Sequence, residues 1–164
     1  MGEIAIRRAV AGDAERLNDA LRRLSEDIGD SHAGTPALLA RAGFGDHPAF
    51  RALLAENAST IVGAALYSPV FSTVRAGAGA YVSDLWTAPE ARGKGLGRRL
   101  LAAVAEDAEG VWGATFLKLA VYDENAMARA FYDRLGFAAA RGETTLTIDH
   151  NGLAALKNEI TGNA

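Results

Sequence analysis

The sequence predicts a mixed α/β fold, with a central sheet covered by helices on both faces. Three observations carry that reading. Two strand-like runs, residues 50–55 and 60–67, flank a Glu56-Asn57-Ala58-Ser59 turn, which makes them antiparallel neighbours. A strand–helix–strand succession over residues 81–121 requires a parallel crossover. Apolar residues recur at helical spacing at Leu17, Leu21, Leu24 and Ile28, and again at Leu100, Leu101, Val104 and Ala108, so each helix has one face to bury.

Taken in order, Ile4, Ile6 and Ala9 mark a short first strand, and Asp13 stands where it can cap a helix beginning at Ala14. Thr35 and Pro36 supply the N-cap and first helical position of a short helix through Ala42. Breakers fill Gly43-Phe44-Gly45-Asp46-His47-Pro48, which reads as a loop. Beyond the strand pair, residues 68–79 read as a longer, irregular connection and residues 81–87 as the next strand. A helix from Leu96 ends between Gly110 and Gly113, and residues 115–121 are strongly strand-like. Asn125 can cap a helix carrying Met127, Phe131 and Leu135, with Gly136 at its C′ position and Phe137 folding back on the last turn. Residues 144–148 suggest a last strand, and residues 153–156 a short helix. No repeat, low-complexity tract or boundary interrupts the chain, so residues 1–164 are expected to form one domain.

Composition narrows the partners. At 164 residues the chain can bury a sizeable core, and 49% apolar with 23% charged residues is ordinary for a globular protein. A net charge of −3 favours neither nucleic acid nor an anionic membrane. The absence of cysteine excludes disulfides, thiolate ligands and a cysteine nucleophile. The first residues lack the apolar core of a secretory leader and no run approaches membrane-spanning length, so a cytoplasmic location is expected. No His/Asp/Glu cluster has ligand spacing, and no metal is expected.

The most informative stretch is Arg92-Gly93-Lys94-Gly95-Leu96-Gly97, between a strand and a helix. Such a loop aims backbone N–H groups and the positive end of a helix dipole at one spot, which suits a phosphate or pyrophosphate. Two common phosphate motifs fail on spacing. A Walker A loop needs Gly, four residues, then Gly-Lys-Ser/Thr, whereas Gly95 follows Lys94 here. A dinucleotide fingerprint needs GxGxxG after the first strand, and this is GxGxG late in the chain with no acidic ribose partner closing residues 115–121. A plain tight turn would not need three alternating glycines among Arg92, Lys94, Arg98 and Arg99.

The spacing Arg92-x-x-Gly95-x-Gly97 resembles the acetyl-CoA motif of the GNAT acetyltransferase superfamily. Asn125-Ala126, Ala130-Phe131-Tyr132 and Leu135-Gly136-Phe137 form a second family-like stretch, and the order of elements over residues 1–148 is similar throughout. The resemblance implies a GNAT fold, with a sheet of about seven strands, an antiparallel first half, and parallel, splayed strands at residues 81–87 and 115–121. It implies acetyl-CoA as the donor, with its pyrophosphate on the amides of Arg92, Gly93, Lys94, Gly95, Leu96, Gly97 and Arg98, and with Asn125 and Phe131 as further contacts. The pantetheine arm would enter the splay and pair near Leu85, Trp86 and Thr87, and an N–H freed at a bulge would polarise the thioester carbonyl. Tyr132 occupies the position where many such enzymes place the acid that protonates the departing thiolate; otherwise it is a tyrosine packed beside Phe131. A homodimer is expected by the same likeness.

A finer resemblance links Gly43-Phe44-Gly45-Asp46-His47-Pro48, Leu54-Ala55-Glu56 and Ile61-Val62-Gly63 to the diamine/polyamine and thialysine N-acetyltransferase branch. There the segment lies near the amine site, which implies Phe44 and Asp46 as acceptor contacts. Asp84 matches an acidic position of that branch and could bind an ammonium or relay its proton through water. Ser83 beside it is a further candidate acceptor contact, but departs from the branch, which carries a glutamate there. Glu26, Asp27 and Asp30 form an acidic cluster, ordinarily a solvated face; in this fold the region can line the acceptor groove, so Glu26 is a candidate substrate contact. His47 is expected to brace its loop, Trp86 to pack on the sheet or pantetheine, and His32 and His150 to be solvated. The expected activity is acetylation of a small primary amine: a diamine, polyamine or lysine-like amino acid. The competing readings are a peptide or aminoglycoside acceptor, or a non-catalytic acetyl-CoA-binding module.

Overall fold

A computed structural model describes residues 3–161. Contacts divide the chain into two compact units, Met1–Asn125 and Ala126–Ala164.

The first unit holds β1 (Ile4–Arg8), α1 (Ala14–Ile28), α2 (Pro36–Gly43), β2 (Arg51–Asn57), β3 (Thr60–Ser72), β4 (Gly77–Thr87), α3 (Leu96–Trp112) and β5 (Leu117–Leu119). Among the described residues there is one sheet, ordered β1-β2-β3-β4-β5, antiparallel up to β4 and parallel between β4 and β5. It has five strands rather than about seven. The connection expected at residues 68–79 is instead the far end of a long hairpin, in which Ser72 pairs with Gly77. Pro69, Gly77 and Gly79 concealed the strands, while the partner strand satisfies the ladder. The strand expected over residues 115–121 shortens to Leu117–Leu119, because only Ala80, Tyr81 and Val82 offer it partners.

Alternation along the strands sorts the helices onto two faces. Trp86 pairs with Ala64 and reaches α1, where its indole N–H donates to Asp27. Tyr67 points the other way and donates its hydroxyl to Asp107 of α3, which also accepts from Arg51 Nε at 2.6 Å and Nη2 at 2.7 Å. The interior is built from Leu17 of α1, Leu54 of β2, Tyr67 of β3, and Leu100 and Val104 of α3, all fully buried. Gly63 lets α3 approach the sheet, since a Cβ there would lie 3.0 Å from Leu100 Cδ1.

Helix ends follow local rules with one exception. Thr35 caps α2 by accepting from Leu38 N. Gly29 and Gly113 stop α1 and α3 at φ +76° and +64°, the left-handed conformation that glycine adopts freely. Gly110 lies inside α3. The exception is Asp13, whose carboxylate makes no cap bond to α1. It accepts instead from Val10 N and from Arg7 at 2.7 and 2.8 Å, and Arg7 also donates to Glu56. A buried carboxylate gains more from a bidentate guanidinium than from one amide.

The second unit holds α4 (Ala126–Arg134) and α5 (His150–Thr161). Gly136 takes φ +89° past α4, and Phe137 N returns to Tyr132 O at 3.1 Å. Asp149 Oδ1 accepts from Gly152 N, so α5 starts earlier and runs longer than the short helix expected. Residues 144–148 form no strand. Their alternation is present, but no neighbour pairs with them among the described residues, and Leu146 is 88% exposed.

Candidate active site

After β4, a single 3₁₀ turn (Pro89–Ala91) leads through Arg92 to the glycine pair and α3. Gly93 and Gly95 take φ of +71° and +78°, and a Cβ on either would meet nothing within 4 Å. Backbone twist, not crowding, therefore requires glycine at both positions. The first ladder bond in α3 runs from Arg99 N to Gly95 O at 3.1 Å, so the amides of Leu96, Gly97 and Arg98 precede the ladder. Leu96 is 2% exposed and anchors the turn in the core, while Arg98 is exposed. The basic side chains of the loop engage the protein: Lys94 Nζ donates to Glu90 O at 2.7 Å, and Arg92 Nε to Thr87 O at 3.0 Å. Arg92 also pairs with the carboxylate of Asp27. What the loop presents outward is an array of peptide N–H groups with a helix dipole behind it.

Among the described residues, no strand pairs with the neighbouring edge of β4 beyond Val82. Pairing with β5 ends at Val82 opposite Leu119, and β4 continues to Thr87. On its other side Tyr67 pairs with Val82 and Leu66 with Asp84, so Ser83 is the extra residue of a bulge. Ala88 N donates to Val62 O, on the β3 side. By alternation the peptide groups of Leu85 and Thr87 face the edge that β5 has left. Asp84, on the α1 face of the sheet, is half-buried. Burial pushes its carboxyl above the ordinary range, while hydrogen bonding from Ser83 and the charge of His32 offset part of the rise. His32 is itself held, its Nε2 lying 3.1 Å from Asn18 Oδ1 and its ring over Gly34.

A family model described as acetyltransferase (GNAT) family matches residues 16–137. The chain belongs to the GNAT acetyltransferases. The thialysine N-epsilon-acetyltransferase of Sus scrofa is 34% identical over 146 residues, covering 83% of this chain and 85% of that enzyme. The enzyme of the same name from Bos taurus matches with the same identity and coverage. These relatives carry the name of the branch that residues 43–48 resemble. An integron cassette protein from the mobile metagenome of V. cholerae has the same fold, with a TM-score of 0.77 at 23% identity over 94% of this chain and 97% of that one. The protein is thus a GNAT N-acetyltransferase.

Of the residues the GNAT pattern implicates, Ser83, Asp84, Leu85, Trp86, Thr87 and Arg92 through Arg98 gather at the end of β4 and the start of α3. Trp86 is 3% exposed and packs toward α1, with the Arg23 guanidinium 5.8 Å from its ring centroid. Phe44 lies edge-on to the buried Phe50, with ring centroids 6.2 Å apart, in a loop closed by Ala49 N to Ala42 O; Asp46 and His47 on that loop are exposed. Glu26 is exposed and paired with Arg22. Asn125 directly precedes α4, its N–H donating to Tyr122 O. Within the second unit, the Tyr132 ring stands 5.1 Å from that of Phe131 and 5.5 Å from that of Phe137, and burial pushes its phenol up. Sequence reasoning left His32 as a solvated group, and Asp27 and Asp30 as a solvated face or a lining of the acceptor groove. Their partners, Trp86 with Arg92, Tyr122, and Asn18, lie on other elements. The one available signal was an indole N–H destined for burial, which needs an acceptor.

Proposed function

We propose that this protein transfers an acetyl group from acetyl-CoA to the primary amine of a small diamine, polyamine or lysine-like amino acid. The observation that carries the acceptor class is Asp84, a half-buried carboxylate at the Ser83 bulge on the α1 face, in a chain resembling thialysine N-epsilon-acetyltransferases. The donor fits the same region. Amides of Leu96, Gly97 and Arg98 would hold a pyrophosphate, and the edge-facing peptide groups of Leu85, with the N–H of Thr87, suit the amides of a pantetheine arm. Bound acetyl-CoA supplies an acetyl thioester that a neutral amine can attack directly.

The side chains then have two tasks. Asp84 attracts an ammonium group, and its raised pKa makes it a better proton acceptor than an ordinary carboxylate, so it can help deliver the amine in its neutral form. Tyr132 is the proton donor for the leaving thiolate. Burial pushes the phenol further up, which favours its protonated form, and donation to a thiolate of conjugate pKa about 8.5 is uphill unless the transfer is local and concerted.

Thiol release from acetyl-CoA tests this across putrescine, spermidine, lysine, thialysine, peptides and aminoglycosides. Turnover with the small amines is expected, and turnover confined to peptides or aminoglycosides overturns the acceptor class. Asp84→Asn should raise the acceptor KM about tenfold with acetyl-CoA affinity retained. Tyr132→Phe should lower kcat at least tenfold with binding nearly unchanged.

A further inference from the structure

Two carboxylates with long-range partners flank the end of α1, Asp27 in its last turn and Asp30 just after the Gly29 stop. Asp27 Oδ2 accepts from Trp86 Nε1 at 3.1 Å and pairs with the Arg92 guanidinium, whose Nε is fixed on Thr87 O. Asp30 Oδ2 accepts from Tyr122 Oη at 2.7 Å. Trp86 and Arg92 belong to the chain at the end of β4, and Tyr122 follows β5. Because β4 and β5 are parallel, their continuations leave the sheet at the same end, where the strands have parted. The end of α1 and the turn that closes it therefore hold both sides of the opening. That turn is itself set rigidly: Gly29 takes φ +76°, and Asp30 N donates to Ser25 O at 2.8 Å, closing the helix end.

We infer that Asp27 and Asp30 brace the two sides of the β4–β5 opening, and that this brace fixes the glycine loop and sets affinity for the acyl donor. Both are positioning residues, and the link to affinity rests on the function proposed above. The inference reassigns Arg92. With its guanidinium taken up by Asp27 and Thr87, Arg92 acts by locating the loop, and the anion is left to peptide N–H groups.

Asp27→Asn keeps an acceptor for Trp86 but removes the charge facing Arg92, and Tyr122→Phe removes only the hydroxyl that reaches Asp30. Two readouts decide the matter. Hydrogen exchange without ligand should show faster exchange at residues 92–97 in Asp27→Asn with residues 119–122 unchanged, and the reverse pattern in Tyr122→Phe. Calorimetry and kinetics should show the Kd for CoA and the KM for acetyl-CoA each raised about fivefold, the scale of an exposed ion pair, with kcat at saturating donor held within about twofold. Combining Asp30→Asn with Tyr122→Phe should be no worse than either alone. Unchanged exchange and affinity would overturn the brace, as would tighter CoA binding by Asp27→Asn, which would mean the carboxylate withholds Arg92 from the anion. Failure of the unsubstituted protein to bind acetyl-CoA would sink the proposed donor, and the exchange pattern would still decide the brace.

Discussion

Gly95→Ala adds one methyl group at the N-cap of α3, where φ is +78° and ψ is 5°. No atom lies within 4 Å of that methyl, so any cost comes from the backbone alone. The small left-handed region open to L-residues centres near φ +60° and ψ about +45°, and Gly95 lies off it. Ala58 and Ala76, at the two hairpin turns, take φ +53°, so this chain accommodates left-handed alanine only nearer that centre. The expected cost is about 1–2 kcal/mol, a fall in Tm of roughly 2–8 °C for a chain of this length. Gly110→Ala is the control. It too meets nothing within 4 Å, but it is exposed and inside α3, so alanine should stabilise there by about 1 kcal/mol. Thermal melts followed by circular dichroism should therefore move in opposite directions for the same chemical change. A second series with acetyl-CoA should show Gly95→Ala losing ligand-induced stabilisation, because the amides of Leu96 to Arg98 are turned, while Gly110→Ala keeps it. Equal stability of Gly95→Ala and the parent, or shifts of the same sign in both variants, would refute the claim that backbone twist shapes this loop.

Two further outcomes concern the scaffold. Arg7 holds the Asp13 carboxyl down at about 2, below the ordinary 3.8. Because the folded value is the lower one, its contribution of roughly 2 kcal/mol is present above pH 4 and is lost as pH falls toward 2; urea melts of Asp13→Asn should show that amount missing at pH 6 and a shallower decline in acid. Tyr67→Phe should cost about 1 kcal/mol in the same melts, since Asp107 keeps both bonds to Arg51. Asp107→Ala should cost about 3–5 kcal/mol by leaving the mostly buried Arg51 charge unpaired. Near-equal losses would show that the hydroxyl, not the ion pair, fastens α3 to the sheet.

The geometry of the glycine loop was legible in the chain because it follows local rules. The order Arg92-x-x-Gly95-x-Gly97 marks a loop that enters a helix, and the left-handed φ of Gly93 and Gly95 is what glycine there supplies. The long hairpin was missed because residues 68–79 carry Pro69, Gly77 and Gly79, which argue against a strand, and a strand held by its partner needs little propensity of its own. Residues 144–148 fail for the converse reason, having the pattern without the partner. The surroundings of Asp84 were the least legible. Asp84 was marked by resemblance, but its raised pKa comes from burial beneath other elements, and His32 acts on it from the α1–α2 connection.

The sequence by itself determined the Thr35 cap of α2, the glycine stops of α1 and α3, and which loop carries the glycines. Each is decided by residues within a few positions of one another. Only the tertiary structure decided that Asp27 serves Trp86 and Arg92, that Asp30 serves Tyr122, and that Ser83 is the bulged residue. Those partners are 59, 65 and 92 residues away for the two aspartates, and 17 separate Ser83 from Leu66. Hydrogen bonds over such separations depend on how strands register and helices pack, and no local pattern in the chain encodes them.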